Sequence, residues 1–342
     1  MKKLLIVGSQ TIHTYNYIAL VKDNFDDVLL ITDKKRGEYA YETVELDFSL
    51  SLLNMKATVR KIKKTIQQFN PSVIHIHQAN SYAFYTLLAA RRMGIPTILT
   101  IWGSDVLLNP KKNLILKKIA QFNLRTADYL TADASFMANE VKALVKPKND
   151  ILIANFGIGI DPQPIEKENI VYSNRLHKKL YRIDKIIAAF HPFSQKHPDW
   201  KLVIAATGDE TDDLKKKVVD LQLADKVEFV GWIDKEENEA WYSKAKFWVS
   251  VPESDATAIS LLEAMACGCI PIVSDLSANR EWIKDGVNGV IVKDINSEFI
   301  STALTIDVAI AKDINHHLIE EKGTKSANKE KFIQLYKKAL HE

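Results

Sequence analysis

The chain has 342 residues, 46% of them hydrophobic, with 46 Lys and Arg against 43 Asp and Glu for a net charge of +3. This composition marks a soluble globular protein large enough for two domains. No run approaches the roughly 20 apolar residues that cross a bilayer, so any membrane contact is expected to be peripheral.

The start, Met1-Lys2-Lys3-Leu4-Leu5-Ile6-Val7-Gly8, is too short an apolar run for a signal peptide and reads as a first strand. Similar β-branched runs follow at 28–31, 73–76, 97–101, 129–131 and 151–153, mostly separated by segments of helical periodicity. That alternation predicts a parallel sheet with crossover helices. His75 and His77 alternate on one of these runs and read as sheet residues, with His77 near the rim of a cleft.

Between residues 110 and 120, four lysines mix with bulky aliphatics. A helix of this kind suits anionic lipid headgroups, or else turns its apolar stripe to the core. The first 165 residues hold 21 Lys and Arg against 14 Asp and Glu, whereas the rest hold 25 against 29. No interleaved basic and aromatic pattern or nucleic-acid module accompanies this excess, so nucleic acid is not expected as a partner.

Gly157 to Pro164 combine two glycines and two prolines and are expected to form a hinge. The strand pattern then restarts at 170–172, 202–205, 227–230, 247–251, 270–273 and 290–292. The fold class is therefore α/β, with two doubly wound domains, 1–160 and 161–325, expected to face each other across a ligand cleft. Residues 326–342 are expected to form a terminal helix near the interdomain region, with Phe332, Leu335, Tyr336 and Ala339 at helical spacing. The only cysteines, Cys267 and Cys269, are too close for an ordinary disulfide and too few for structural zinc, which fits a reducing cytoplasm.

The segment from Ser254 to Gly268 carries the chemistry. Glu263 lies in an otherwise apolar helical run, eight residues after Asp255. With Asp255 at or near the N-cap, both acids approach one side of the helix start, where exposed amides attract phosphate. That combination suits a phosphorylated sugar. The competing reading is a capping Asp and a salt-bridged Glu.

Asp255, seven residues, then Glu263-Ala264-Met265-Ala266-Cys267-Gly268 resembles the signature of retaining GT-B glycosyltransferases of family 4. Pro271 to Asp275, Glu281 to Gly289, Ser173 to Leu176, Gly208 and Val227 to Gly231 fall in the same family order, and Gly8 to His13 and Thr100 to Asp105 sit where the family has N-terminal cleft loops. The resemblance implies a hexosyltransferase-type enzyme that takes a nucleotide-diphosphate sugar as donor and needs no cofactor. Its acceptor would be a glycan or lipid-linked molecule, in surface polysaccharide or glycoconjugate synthesis, at the cytoplasmic face of the membrane.

The resemblance also implies roles. Glu263 would hold the donor ribose and Asp255 the hydroxyls of the transferred sugar. Arg175, with the amides of Ala258 and Ile259, would meet the charge of the departing diphosphate. Gly208 and Trp232 fall on the donor side, with a core position the preferred alternative for Trp232, while Gly8 and Trp102 line the acceptor side. His13 would bind acceptor or diphosphate, and Asp105 would orient or deprotonate an acceptor hydroxyl, with a helix cap as its alternative. No Asp-x-Asp lies at a strand end, so a metal-independent mechanism is expected.

Three departures stand out. Asp255 replaces the family's usual Glu, and Trp102 replaces a usual His. Leu180 occupies the place of a diphosphate-binding Lys, leaving Lys178, Lys179 and Arg182 as substitutes. A nucleotide-sugar-binding protein without transfer activity, and a GT-B sugar-nucleotide epimerase, are the alternative functions. A dinucleotide-dependent oxidoreductase is disfavoured because no Gly-x-Gly-x-x-Gly follows the first strand.

Overall fold

A computed structural model describes residues 1–35, 41–160 and 165–342, the side chains of residues 52 and 53 excepted. The chain divides into two compact units, Met1–Phe156 with Lys325–Glu342, and Gly157–Thr324. Residues 161–164 of the expected hinge lie outside the described residues. On either side of them, Ile158 bridges Thr324, and its amide donates to the Gly323 carbonyl at 2.9 Å.

The first unit is built on seven parallel strands: β1 (Lys3–Val7), β2 (Asp27–Thr32), β3 (Glu42–Glu45), β4 (Val73–His77), β5 (Thr97–Thr100), β6 (Tyr129–Ala132) and β7 (Leu152–Ile153). Their order is β3-β2-β1-β4-β5-β6-β7. Strand β3 has no counterpart among the predicted strands. Its sequence, Glu-Thr-Val-Glu, is short and charged at both ends, a pattern that keeps a sheet edge from pairing further. The terminal helix, Lys325–Leu340, packs Phe332, Leu335, Tyr336 and Ala339 against Leu4, Ile6, Tyr17 and Ile18. It therefore closes the core of the first unit.

The second unit carries six parallel strands: β8 (Glu168–Ser173), β9 (Lys201–Ala205), β10 (Val227–Gly231), β11 (Ala245–Ser250), β12 (Ile270–Ser274) and β13 (Val290–Val292). Their order is β10-β9-β8-β11-β12-β13. Each strand was anticipated from its apolar run, because strands covered on both faces need apolar side chains on either side, such as Leu202, Ile204 and Val249 on one face and Val203, Trp248 and Val273 on the other.

Both sheets have one point where connections leave in opposite directions. In the first unit it lies between β1 and β4, and in the second between β8 and β11. Loops leaving adjacent strands diverge there, which opens a crevice beyond the carboxyl ends of the strands. The residues following β1, β4, β8 and β11 border these crevices.

Candidate functional site

In the second unit, Arg175 follows β8 and Asp255 follows β11. Arg175 Nη2 donates to Asp255 Oδ2 at 2.6 Å, and Nη1 donates to Ser260 Oγ at 2.9 Å. The Tyr181 ring lies beneath the guanidinium at 4.5 Å from its centroid. Only 11% of the Arg175 side chain is exposed. Burial, the largest single influence, opposes its charge, but Asp255 together with Tyr181 and Tyr242 outweighs it and holds the pKa above the usual range.

The two loops are tied together directly. Arg182 Nε and Nη2 donate to the carbonyls of Val251 and Pro252, both at 2.7 Å, and the Glu253 amide donates to the Leu180 carbonyl. These bonds use two of the five N–H donors of Arg182, one of the residues expected to bind diphosphate. Lys179 is exposed on the short turn Lys179–Tyr181, and Lys178 is exposed beside it.

The apolar helix after this loop spans Ile259–Ala266, with Ala258 at its N-cap and no side-chain cap bond. Asp255 lies three residues ahead of Ala258, so it is not the cap the spacing suggested. Its Oδ1 accepts instead from the Ala256 amide. The helix start presents the amides of Ala258 and Ile259 beside Ser260, the residue that holds Arg175. A cation and a positive helix terminus thus meet at one point, an arrangement that favours an anion.

Glu263 lies one turn further on and accepts from the Tyr242 hydroxyl at 3.1 Å. The Tyr242 oxygen is 2.6 Å from Asn174 Nδ2, which also donates to Asn238 Oδ1 at 3.0 Å. Trp248 Nε1 donates to Asn174 Oδ1, and the Tyr172 hydroxyl donates to Asn238 Oδ1. Sequence reasoning missed Tyr242, Asn238 and Ser260. Asn174 was noticed only as the neighbour of Arg175, since such pairings between distant elements leave no local periodicity.

Gly208 follows β9 in a loop that packs against the chain after β8. A Cβ there would lie 2.4 Å from the His177 carbonyl oxygen. Its small size is thus required for loop packing. Trp232, just past β10, is 74% exposed, which overturns the preference for a core tryptophan. Among the described residues, no three His, Cys, Asp or Glu side chains group together to hold a metal ion.

In the first unit, His13 lies in the helix after β1, edge-on to Trp102 at 5.5 Å and stacked on Phe156 at 5.9 Å. A Cβ at Gly8 would come within 3.1 Å of His77 Cβ and Thr14 Oγ1, so glycine lets β1 pass close to β4. His75 and His77 are both fully buried, so His77 is not at a rim. Asp105 is also corrected. Its carboxylate accepts from the amides of Ala79, Trp102 and Gly103, and it is 2% exposed. Burial raises its pKa against the effect of those three donors. The group anchors the Trp102 turn to the end of β4 and presents no free base to an acceptor.

The model of the family Glycosyl transferases group 1 matches residues 160–325, and that of Glycosyl transferase 4-like matches residues 2–134. The chain belongs to the GT-B glycosyltransferases of the family-4 type. Within this family it is 27% identical over 255 residues to the N-acetyl-alpha-D-glucosaminyl L-malate synthase of Bacillus anthracis, covering 68% of this chain and 64% of that protein. It is 26% identical over 262 residues to the phosphatidyl-myo-inositol mannosyltransferase of Mycolicibacterium smegmatis, covering 72% and 65%. The chain thus matches slightly less than two thirds of the length of these relatives.

The GT-B fold is shared with solved structures at low identity. The Anabaena protein HepE in complex with UDP superposes with a TM-score of 0.83 at 13% identity, covering 99% of this chain and 100% of that one. Sucrose-phosphate synthase from Thermosynechococcus elongatus gives 0.82 at 16% identity, with both chains fully covered.

Proposed function

We propose that this family member transfers a sugar, with retention and without a metal ion, from a nucleotide-diphosphate donor to a glycan or lipid-linked acceptor. The observation that carries the reading is the Arg175 guanidinium held by Asp255 and Ser260 at the start of the helix bearing Glu263. In the proposed reaction, the bond between the anomeric carbon and the diphosphate oxygen breaks and its electron pair leaves with the diphosphate. Arg175 and the amides of Ala258 and Ile259 stabilise that developing charge. The acceptor hydroxyl forms the new bond on the same face and gives its proton to the departing phosphate oxygen. Glu263 holds the ribose hydroxyls and Asp255 those of the transferred sugar. Gly8, His13 and Trp102 are the proposed acceptor-side group.

A thermal-shift panel of UDP-, GDP-, ADP-, dTDP- and CMP-sugars in EDTA tests the donor site. One nucleotide class at one hundred times its dissociation constant should stabilise the wild type by roughly 2.7 kcal/mol, and Glu263→Ala should lose that shift. An equal response from the variant, or no binding without metal, would overturn the assignment. Product analysis separates transfer from the alternatives, since an epimerase converts donor without acceptor and a binding-only protein leaves it intact.

A lipid-linked acceptor is favoured by one surface of the first unit. The helix Leu114–Thr126 turns Ala120, Asn123 and Leu124 inward, but Leu114 and Ile115 in its first turn are 75% and 70% exposed. Exposed Lys111, Lys112, Lys117 and Lys118 flank them, and no acidic residue occurs between Asp105 and Asp128. This edge is proposed to rest on an anionic membrane, although no described helix is long and apolar enough to cross one. Each lysine near such a surface contributes about 1 kcal/mol, so changing all four to Gln should weaken co-sedimentation with phosphatidylglycerol vesicles at least ~100-fold. Leu114→Asn with Ile115→Asn should weaken it too, at any salt concentration. Undiminished binding by both variants would remove this surface from the proposal.

A further inference from the structure

Glu263 is held by a buried chain of side chains whose proton order is fixed from one end. The Trp248 indole nitrogen can only donate, so the Asn174 side-chain oxygen must face it at 3.0 Å. Asn174 Nδ2 then points both protons the other way, one to Asn238 Oδ1 and one to the Tyr242 oxygen. Asn238 Oδ1, fixed as an acceptor by the Asn174 amide, also accepts from the Tyr172 hydroxyl at 2.5 Å. With its oxygen accepting from Asn174, Tyr242 directs its own proton to Glu263 Oε2.

Trp248, Tyr172 and Tyr242 are fully buried. Burial, followed by the charge of Glu263, raises the Tyr242 pKa well above its ordinary value, so the phenol keeps the proton it donates. The chain joins β8, β11, the helix Lys235–Lys244 that carries Asn238 and Tyr242, and the helix of Glu263. Core packing alone would be met by Phe at position 242.

We propose that Tyr242 is a positioning residue for ribose selection. Its hydroxyl fixes the Glu263 carboxylate in the rotamer that accepts from a ribose diol, with Asn174 and Trp248 setting the direction of that bond. The inference rests on the ribose role of Glu263 proposed above. Tyr242 itself touches no substrate.

The test is isothermal titration of UDP, GDP and ADP, each paired with its 2′-deoxy counterpart, against wild type, Tyr242→Phe, Trp248→Phe and Glu263→Ala. The wild type should bind one ribonucleotide about tenfold or more tightly than its 2′-deoxy form, as expected for a hydrogen bond to a charged group. Glu263→Ala should abolish that preference. Tyr242→Phe should reduce it at least about threefold while leaving the 2′-deoxy affinity unchanged, and Trp248→Phe should move it the same way. A purely structural role would lower the melting temperature and leave the ratio alone. If wild type discriminates, Glu263→Ala does not, and Tyr242→Phe keeps the wild-type ratio, the positioning role is overturned while the ribose role stands. If the wild type shows no discrimination, or binds no nucleotide, the ribose reading itself fails and the inference falls with it.

Discussion

Replacing Arg175 by Ala is expected to lower kcat for sugar transfer by roughly 10²–10³-fold, the usual cost of removing one preorganised group that meets developing charge. The guanidinium is fixed before any ligand arrives, by Asp255, Ser260 and the Tyr181 ring. It therefore pays little reorganisation when the diphosphate leaves. Donor affinity should fall much less than kcat, because the charge it meets is greatest in the transition state. Arg175→Lys should recover only part of the loss, since one ammonium cannot hold Ser260 and a phosphate in the same planar fork. The loss should not be an unfolding effect. The pair is largely buried, with 11% of Arg175 and 23% of Asp255 exposed, so losing the cation should cost about 3 kcal/mol of stability, and the rates are compared well below the melting temperature of the variant. Single-turnover kinetics with the donor selected by the thermal panel, beside melting curves, make the check. A variant with near-normal kcat would exclude Arg175 from the chemistry.

Acid should weaken the first unit through His77. The ring is fully buried among Tyr17, Trp102 and Phe156, and neither ring nitrogen has a hydrogen-bond partner among the described residues. Burial, with a smaller contribution from His13, lowers its pKa from 6.5 to about 3. A lowered histidine pKa means that the folded state excludes a proton the unfolded chain accepts. Stability is therefore complete above the unfolded pKa, falls as pH drops below 6.5, and levels off near the folded value of about 3. Between about pH 7.5 and 4.5 this one group should cost about 2–3 kcal/mol. His75 adds in the same direction, although its ring is bonded to Tyr17, Tyr336 and Thr100.

His77→Phe keeps the ring packing and removes both nitrogens. Hydrogen-exchange protection of β1 and β4 amides reports this unit separately from the other. From about pH 7.5 to 4.5 the wild type should lose about 2–3 kcal/mol more protection than the variant. Parallel curves for the two proteins would show that His77 is not the sensitive group.

The layout of both sheets was legible because buried parallel strands must be apolar along their whole length, and twelve of the strands announce themselves in this way. The thirteenth, Glu42–Glu45, is an edge and lacks that mark. At the candidate site, local spacing identified Asp255, Glu263 and Arg175 as residues of interest. It did not show that Arg182 spends two donors on Val251 and Pro252, or that Asp105 spends its acceptors on Ala79, Trp102 and Gly103. An exposed-looking charge in sequence becomes a structural fastener only when the fold brings orphan backbone groups to it. Trp232 shows the converse, a residue assigned inward by type and found outside.

The helix Lys325–Leu340 has a consequence for how the protein is made. Tyr336 completes the hydroxyl and imidazole contacts of Tyr17 and His75, and Phe332 packs edge-on against Tyr17. These partners are more than 250 positions apart in the chain, so a ribosome releases one long after the other. Residues 157–324 have emerged by then with all six of their strands. The first unit is accordingly completed only after the second has been made, and until Lys325–Leu340 emerges the helix Ile12–Val21 must wait with an apolar face exposed, a natural point of engagement for chaperones.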